Sequence, residues 1–112
     1  MRASWSPTDG EFLGHTTFGT SRDPDVGSQI GEVRAFFVSP AAWRQGVGRA
    51  LMAGALGGLA EMGFAQATVW SFADNARANA FYEGRGFTRD GTQRRQEQWA
   101  QVLEVRYRRE LP

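Results

Sequence analysis

Cysteine is absent from this chain of 112 residues. Its absence excludes disulfide bonds, thiolate zinc sites, iron–sulfur ligation and a cysteine nucleophile. Histidine occurs once, as His15, so a histidine metal site or a serine–histidine–aspartate triad would depend on that residue alone, and we predict no metal. All 13 basic residues are arginine. Without lysine the chain lacks the Gly-Lys-Ser/Thr end of a Walker A phosphate loop.

Long hydrophobic runs and a large net charge are also missing. The most apolar stretch, residues 50–60, is too short to span a bilayer, and residues 1–10 contain no apolar run of the kind found in a signal peptide. The formal net charge of +1 gives no general attraction to nucleic acid or to anionic lipid. We therefore expect a cytoplasmic protein that binds neither nucleic acid nor a membrane.

The composition that remains is typical of one folded domain over residues 1–112. Hydrophobic residues make up 41% of the chain, which excludes disorder of the whole chain. The length leaves no room for two independent cores.

Hydrophobic periodicity and turn residues predict an α/β order of elements. The chain opens with a hairpin, whose strands at 2–5 and 11–19 are joined by a turn at 6–10 that ends in Asp-Gly. A polar, mobile loop is predicted at 20–29. The later elements are a strand at 30–38, a helix at 47–62, a strand at 66–72, a helix from Asp74 or Asn75 to Glu83, strands at 87–90 and 102–109, and a loop or exposed edge at 92–98.

The strand at 30–38 and the helix after it carry two expectations about packing. Strict alternation places Val33, Ala35 and Phe37 on one face of the strand. Glycines inside the helix, at 54, 57 and 58, each cost about 1 kcal/mol relative to alanine, so we predict close packing of the helix on a sheet. The strand–helix–strand order further predicts that the strands at 30–38 and 66–72 are parallel.

Arginines are concentrated near the end of the sequence. Acidic residues lie among them, so we predict a solvated, ion-paired edge rather than a nucleic-acid surface. The basic residues are Arg94, Arg95, Arg106, Arg108 and Arg109, and the acidic ones are Glu97, Glu104 and Glu110.

The segment at 43–51 (WRQGVGRAL) has the chemistry of a phosphate-binding turn. The free N–H groups and the positive dipole end of a helix attract an anion. Gly46 and Gly48 leave room for a pyrophosphate, and Arg44 and Arg49 add charge-assisted contacts. Leu51 stands where a GxGxxG dinucleotide fingerprint needs its third glycine. The alternative is a glycine-rich tight turn without a ligand.

A second motif lies at 75–87 (NARANAFYEGRGF). Together the two segments resemble the GNAT superfamily of acetyl-CoA-dependent N-acetyltransferases. The first is similar to its pyrophosphate loop, Q/R-x-x-G-x-G/A, and the second to its N-x-R-A-x-x-F-Y-x-x-x-G-F signature. The first motif departs at Trp43, where the family has Gln or Arg and where Arg44 could substitute electrostatically.

The resemblance implies a three-layer α/β domain with a mixed, mostly antiparallel sheet, helices on both faces and one parallel strand pair that splays apart to admit acetyl-CoA. It also implies transfer of an acetyl group from acetyl-CoA to a primary amine of a small molecule or peptide, by direct attack. Family members begin with a strand and two helices that wall the acceptor pocket, and this chain starts at the hairpin that follows them.

The resemblance also implies where acetyl-CoA binds. The backbones of Phe37 and Val38 would pair with the pantetheine arm, and the Val38 N–H would polarise the thioester carbonyl. Asn75 would hydrogen-bond the pantetheine, or else cap the second helix. The residues around the pyrophosphate would be Arg44, Gln45, Gly46, Val47, Gly48, Arg49 and Ala50.

Two residues are implied in catalysis. Tyr82 would be the general acid that protonates the departing thiolate, or else a core tyrosine. With ordinary pKa values near 10 for tyrosine and about 8.5 for a thiol, complete transfer is about 2 kcal/mol uphill. Glu32 is the first candidate for the base that takes a proton from the amine, with a salt-bridged strand residue as the alternative, and His15 is the second. The tryptophans could line an acceptor pocket or pack in the core.

Two other functions stay open from the sequence. The chain could be an acyl-CoA-binding module with impaired catalysis, if nothing supplies the missing pocket wall. It could also be an assembly subunit whose exposed sheet edge pairs in a homodimer. The sequence does not name the acceptor amine.

Overall fold

A computed structural model describes the backbone of residues 2–5, and both backbone and side chains of 14–44 and 46–112. The predicted turn at 6–10 and the first residues of the second predicted strand lie outside these ranges. In the described part of the chain, no helix is long and apolar enough to cross a membrane. The elements are β1 Arg2–Trp5, β2 Gly14–Thr20, β3 Ile30–Val38, α1 Val47–Glu61, β4 Gln66–Phe72, α2 Ala76–Gly84, β5 Thr88–Arg95 and β6 Leu103–Glu110, with single-turn 3₁₀ helices at Pro40–Ala42 and Glu97–Trp99.

The six strands form one mixed sheet in the order β1-β2-β3-β4-β6-β5. The hairpin of β1 and β2 is antiparallel, and β3 and β4 are the predicted parallel pair. The polar stretch before residue 96 belongs to β5, which pairs with β6 at the end of the sheet. The alternative of an exposed edge is therefore the correct one for this stretch.

A bulge at Arg34 interrupts the alternation of β3. Neighbouring residues of β2 pair with Ala35 and Val33, which leaves Arg34 as an extra residue on β3. An extra residue shifts the side chains that follow it to the opposite face. Val33 and Phe36 consequently pack in the same apolar cluster. The predicted grouping of Val33 with Ala35 and Phe37 is wrong, because strict alternation assumes a regular strand.

One apolar core holds both helices against the same face of the sheet. Met52 and Leu59 of α1 belong to the same buried cluster as Tyr82 of α2, and this cluster contains Val69 and Val105 of the central strands. The α/β class with a mixed sheet and a parallel pair is confirmed. The described residues nevertheless build two layers, so the expected helices on both faces are not formed by this part of the chain. Both crossovers move across the sheet in the same direction, which brings their helices to the same side.

The opposite face of the sheet is polar and charged. Alternation places Trp70 and Arg106, which pair across β4 and β6, on this face. The loop between β2 and β3 is bound there, because Asp23 and Asp25 both hydrogen-bond to Arg106. Two carboxylates thus anchor the polar loop, while its mobility stays a prediction. The expected ion pairing of the late arginines is confirmed for Arg94, Arg106 and Arg108. Their expected solvation is wrong for Arg106, which is only 2% exposed.

Among the three helix glycines, Gly58 packs closely on the sheet. A Cβ atom at Gly58 would overlap the ring of Phe18, which is buried, whereas Gly54 and Gly57 face open space. The predicted close packing is thus confirmed at one of the three positions.

We expect Gly58→Ala to lower the free energy of unfolding by about 1–3 kcal/mol, because the added methyl group must displace a buried ring. The matched variant Gly57→Ala should raise it by about 0.5–1 kcal/mol, since alanine is the better helix former and the position is open. Urea unfolding of the parent and both variants measures the difference. The same effect in both variants would contradict the packing of Gly58 against Phe18.

Candidate active site

A cleft opens where the two parallel strands separate. Pairing of β3 with β4 runs from Ile30 opposite Gln66 to Val33 opposite Val69 and then stops. The bulge at Arg34 follows the last pair directly, and bulges bend the strand that carries them. The resulting cleft has a volume of about 1470 Å³ and is lined by the ends of both strands, the loop before α1 and one side of α2 up to Tyr82. The loop between β2 and β3 and residues of β5 and β6 also contribute to its lining.

Most of the predicted site residues meet in this cleft. Those that line it are Glu32, Phe37, Val38, Arg44, Gly46, Gly48, Arg49, Asn75 and Tyr82. Gln45 lies outside the described residues. The side chain of Val47 is buried against Leu51, which leaves its backbone for any ligand. The N–H of Ala50 donates to the Gly46 carbonyl at 3.0 Å, so it is not free to bind a ligand. The predicted hydrogen bond from Ala50 to the pyrophosphate is therefore wrong.

The start of α1 is positive and has no side-chain cap among the described residues. Its N-cap is Gly46, in the left-handed conformation with φ of 83°, and the first turn contains no acidic residue. The first N–H groups of a helix have no intrahelical acceptor. Arg44 is also left-handed, with φ of 67°, a strained conformation for a residue with a side chain. Arg44 and Arg49 line the cleft here, so this end of the cleft can accept an anion.

Trp43 joins the two sides of the cleft beyond the strand ends. Its indole Nε1–H donates to the Val38 carbonyl at 3.1 Å, and the Arg77 guanidinium carbon lies 3.9 Å from the centre of its ring. Trp43 follows β3 in the chain and Arg77 follows β4. Their contact therefore links the segment after β3 to the segment after β4, across the cleft. The Val38 carbonyl already accepts a hydrogen bond, so the predicted pairing of Val38 with a ligand rests on its N–H.

Asparagines hold α2 at the edge of the cleft. The Asn75 side chain accepts a hydrogen bond from the Ala78 N–H at 3.2 Å, so the capping alternative is formed while Asn75 also lines the cleft. Buried Asn79 accepts from the Ser71 hydroxyl at 2.6 Å and donates to the Ala73 carbonyl at 3.1 Å. Sequence reasoning missed Asn79, although a polar residue one helical turn after the capping residue is a usable signal.

Tyr82 belongs both to the core and to the cleft wall. Its ring packs against Phe36, Phe87 and Tyr107, and it lines the cleft. Burial raises the pKa of Tyr82 to about 12. Against a thiol pKa of about 8.5, complete proton transfer from this hydroxyl is about 5 kcal/mol uphill. Tyr82 can therefore donate a hydrogen bond to a thiolate more readily than it can give up its proton.

Glu32 is buried in the cleft with a partner. Its carboxylate accepts from the Arg22 backbone N–H at 3.0 Å and from the Arg22 guanidinium at 3.4 Å, and Glu32 is 3% exposed. It is thus a salt-bridged strand residue that also faces the cleft. His15 packs against the ring of Phe37, with 6.1 Å between the ring centres, and the cleft lining does not include it.

Three of the four tryptophans line the cleft, namely Trp43, Trp70 and Trp99. The Trp70 indole N–H donates to Asp23 at 2.9 Å, and the Arg94 guanidinium carbon lies 3.9 Å from the centre of the Trp70 ring. Sequence reasoning placed Arg94 in an ion-paired edge, but it did not predict that Arg77 and Arg94 lie over tryptophan rings. Those contacts join residues that are far apart in the chain. The side chain of Trp5 lies outside the described residues.

Comparisons with known proteins agree with this architecture. The model of the acetyltransferase (GNAT) family matches residues 5–87. The chain is 37% identical over 102 residues to the mycothiol acetyltransferase of Amycolatopsis mediterranei (strain U-32). That match covers 81% of this chain and 34% of the relative, so the chain spans about a third of the relative's length.

Solved structures show the same fold at low sequence identity. Ard1 from Thermoplasma volcanium matches with a TM-score of 0.78 and 21% identity, over 92% of this chain and 66% of that one. The NatC complex bound to Gag peptide and CoA matches with a TM-score of 0.77 and 17% identity, over 96% and 66% of the respective chains. Each of these likenesses concerns the fold.

We expect Tyr82 to stay neutral in the folded protein up to about pH 11, because burial disfavours its phenolate. In the unfolded chain it should titrate near 10, so the free energy of unfolding should fall as the pH rises from about 10 to 12. Tyrosinate absorbance of the parent minus that of Tyr82→Phe measures this titration, with circular dichroism as the control for folding. A difference titration with a midpoint at or below 10 in folded protein would contradict it.

Proposed function

The chain belongs to the acetyltransferase (GNAT) family, and we propose that it transfers an acetyl group from acetyl-CoA to a primary amine of a small molecule or peptide by direct attack. The observation that carries the proposal is the cleft between the separated ends of β3 and β4. It joins the uncapped start of α1 to Tyr82 and Glu32. The name of the A. mediterranei relative supports acetyl transfer, and the CoA named with the NatC complex supports the donor.

The residues at the start of α1 fit the pyrophosphate of the donor. The N–H groups of Gly46, Val47, Gly48 and Arg49 are the donors of a first helical turn, and Gly46 leaves open space where a side chain would stand. The guanidinium groups of Arg44 and Arg49 add charge. The donor supplies an activated acetyl thioester, and this end of the cleft binds and orients it.

The strand ends take the arm of the donor. Beyond Val33 the backbone of β3 has no partner in β4, so an extended arm can bind beside Phe37 and Val38 as an added strand. Asn75 lies at the opposite wall. The Val38 N–H polarises the thioester carbonyl and stabilises the negative charge that develops on its oxygen.

Two side chains assist the reaction, Glu32 as a base and Tyr82 as a hydrogen-bond donor. An amine is mostly protonated at neutral pH, and Glu32 accepts the proton that the amine must lose before it attacks the thioester. The Tyr82 hydroxyl donates a hydrogen bond to the thiolate that leaves. Because the pKa of Tyr82 is raised to about 12, stabilisation by that hydrogen bond replaces complete proton transfer.

Binding of the donor should appear as thermal stabilisation. Acetyl-CoA at about 100 times its Kd should add about 2.7 kcal/mol to the free energy of unfolding, a rise in Tm of roughly 10 °C or more. Gly48→Glu should abolish the rise, because it places a carboxylate beside the pyrophosphate, while the nearest atom to a new Cβ is 3.4 Å away, on Phe81.

The matched control for this measurement is Gly57→Glu, which adds the same charge at an open position of the same helix. It should keep the full rise in Tm. Cooperative unfolding of the parent without any rise would contradict the proposed function, and so would an equal rise in Gly48→Glu.

Tyr82→Phe should lower kcat by about a hundredfold, the effect of losing one hydrogen-bond donor to a developing negative charge. It should leave the affinity for acetyl-CoA nearly unchanged, because the lost hydrogen bond goes to the leaving group. Tyr107→Phe is the matched control, since Tyr107 is a buried tyrosine outside the cleft lining. Release of the CoA thiol, measured with a panel of small primary amines and peptides with free N-termini, tests this. Full turnover by Tyr82→Phe would contradict the assigned role.

A further inference from the structure

Arg106 is the centre of an ion-pair network on the polar face of the sheet. The residue lies on β6 and is 2% exposed. Its Nε donates to Asp90 at 2.6 Å, one terminal nitrogen donates to Asp23 at 3.1 Å, and the other donates to Asp25 at 2.8 Å. Three carboxylates therefore share one buried guanidinium group, and the planar fork of arginine suits such shared contacts.

Two of these three carboxylates come from the loop between β2 and β3. Asp23 and Asp25 lie 83 and 81 positions before Arg106 in the chain, so these contacts bind the loop to the middle of the sheet. Asp23 also accepts the indole N–H of Trp70 at 2.9 Å. The third carboxylate, Asp90, is on β5, where it accepts from Arg106, Arg108 and the Thr92 N–H.

Arg22, the loop residue directly before Asp23, holds the proposed base Glu32. Within the described residues, both hydrogen bonds to the Glu32 carboxylate come from Arg22, one from its backbone N–H and one from its guanidinium. Arg22 precedes Asp23 directly, so a displacement of Asp23 moves the Arg22 N–H. The Arg22 side chain is 64% exposed, so its position depends mainly on the loop backbone.

We infer that Arg106 is a positioning residue, which fixes the loop through Asp23 and Asp25 so that Arg22 holds the Glu32 carboxylate in the cleft. The inference rests on the proposed function insofar as Glu32 is the base. A buried ion pair is weak evidence for stability by itself, because apolar replacements are often neutral or stabilising. The network's connection to Glu32 supplies a functional reason for burying this charge.

Asp25→Asn is the variant that tests the inference. The Asp25 side chain is 52% exposed, so the change removes one charged anchor of the loop without opening the core. Asp90→Asn is the matched control, because it takes a carboxylate from the same guanidinium while Asp90 belongs to β5 and not to the loop. Amide hydrogen exchange of Arg22 and the carboxyl carbon signal of Glu32, both read by NMR, report the hydrogen bond between them.

We expect exchange of the Arg22 amide to accelerate about tenfold or more in Asp25→Asn, the factor for a weakened hydrogen bond to a charged group. The Glu32 carboxyl signal should shift in the same variant. In Asp90→Asn both should match the parent protein. Unchanged exchange in Asp25→Asn would overturn the inference, and so would an equal acceleration in both variants, since that would report general loosening.

Turnover separates positioning from a merely structural role. With acetyl-CoA and an amine that the parent acetylates, Asp25→Asn should lower kcat and leave the KM for acetyl-CoA unchanged. In a Glu32→Gln background the same change should have no further effect on kcat, because residues that act through one group are not additive. An additive loss would overturn the inference. Failure of acetyl-CoA to stabilise the parent would instead count against the proposed function, and the NMR comparison would still decide the loop's role.

Discussion

The end of backbone pairing between β3 and β4 is the constraint on which the rest of this structure depends. Beyond Val33 and Val69, the N–H and C=O groups on the facing edges of β3 and β4 no longer pair with each other. Buried backbone groups need a hydrogen-bond partner. The molecule meets part of this need with its own side chains, since Trp43 donates to the Val38 carbonyl. The remaining backbone groups line the cleft, where an extended ligand can form hydrogen bonds with them.

An ion-pair network on the face of the sheet opposite the helices also contributes to the cleft. The helices cover one face with a continuous apolar core, while Arg106 and its three carboxylates occupy the other. The hydrogen bond from Arg106 holds the pKa of Asp25 below its ordinary value, so this anchor stays charged through the neutral range. The resemblance implied helices on both faces of the sheet, and in the described residues this face instead binds the loop that contacts Glu32.

Local sequence patterns predicted the elements well and their contacts less well. The two motifs predicted the glycine at the start of α1 and the cap formed by Asn75, because both depend on residues a few positions apart. The faces of β3 were predicted incorrectly, because the bulge at Arg34 arises from pairing with β2 and leaves no signal in β3 alone. The rise in the pKa of Tyr82 could likewise not be predicted from the sequence, since it is caused by desolvation in the folded protein.

The sequence by itself determined the order of the elements, the parallel strand pair and the family, since these follow from spacing, periodicity and two local motifs. Tertiary structure alone decided that both described helices lie on one face, that Arg77 stacks on Trp43, and that Arg106 is buried among Asp23, Asp25 and Asp90. The physical reason is distance along the chain. A contact between residues up to 83 positions apart depends on how every intervening element packs, and no local pattern encodes it.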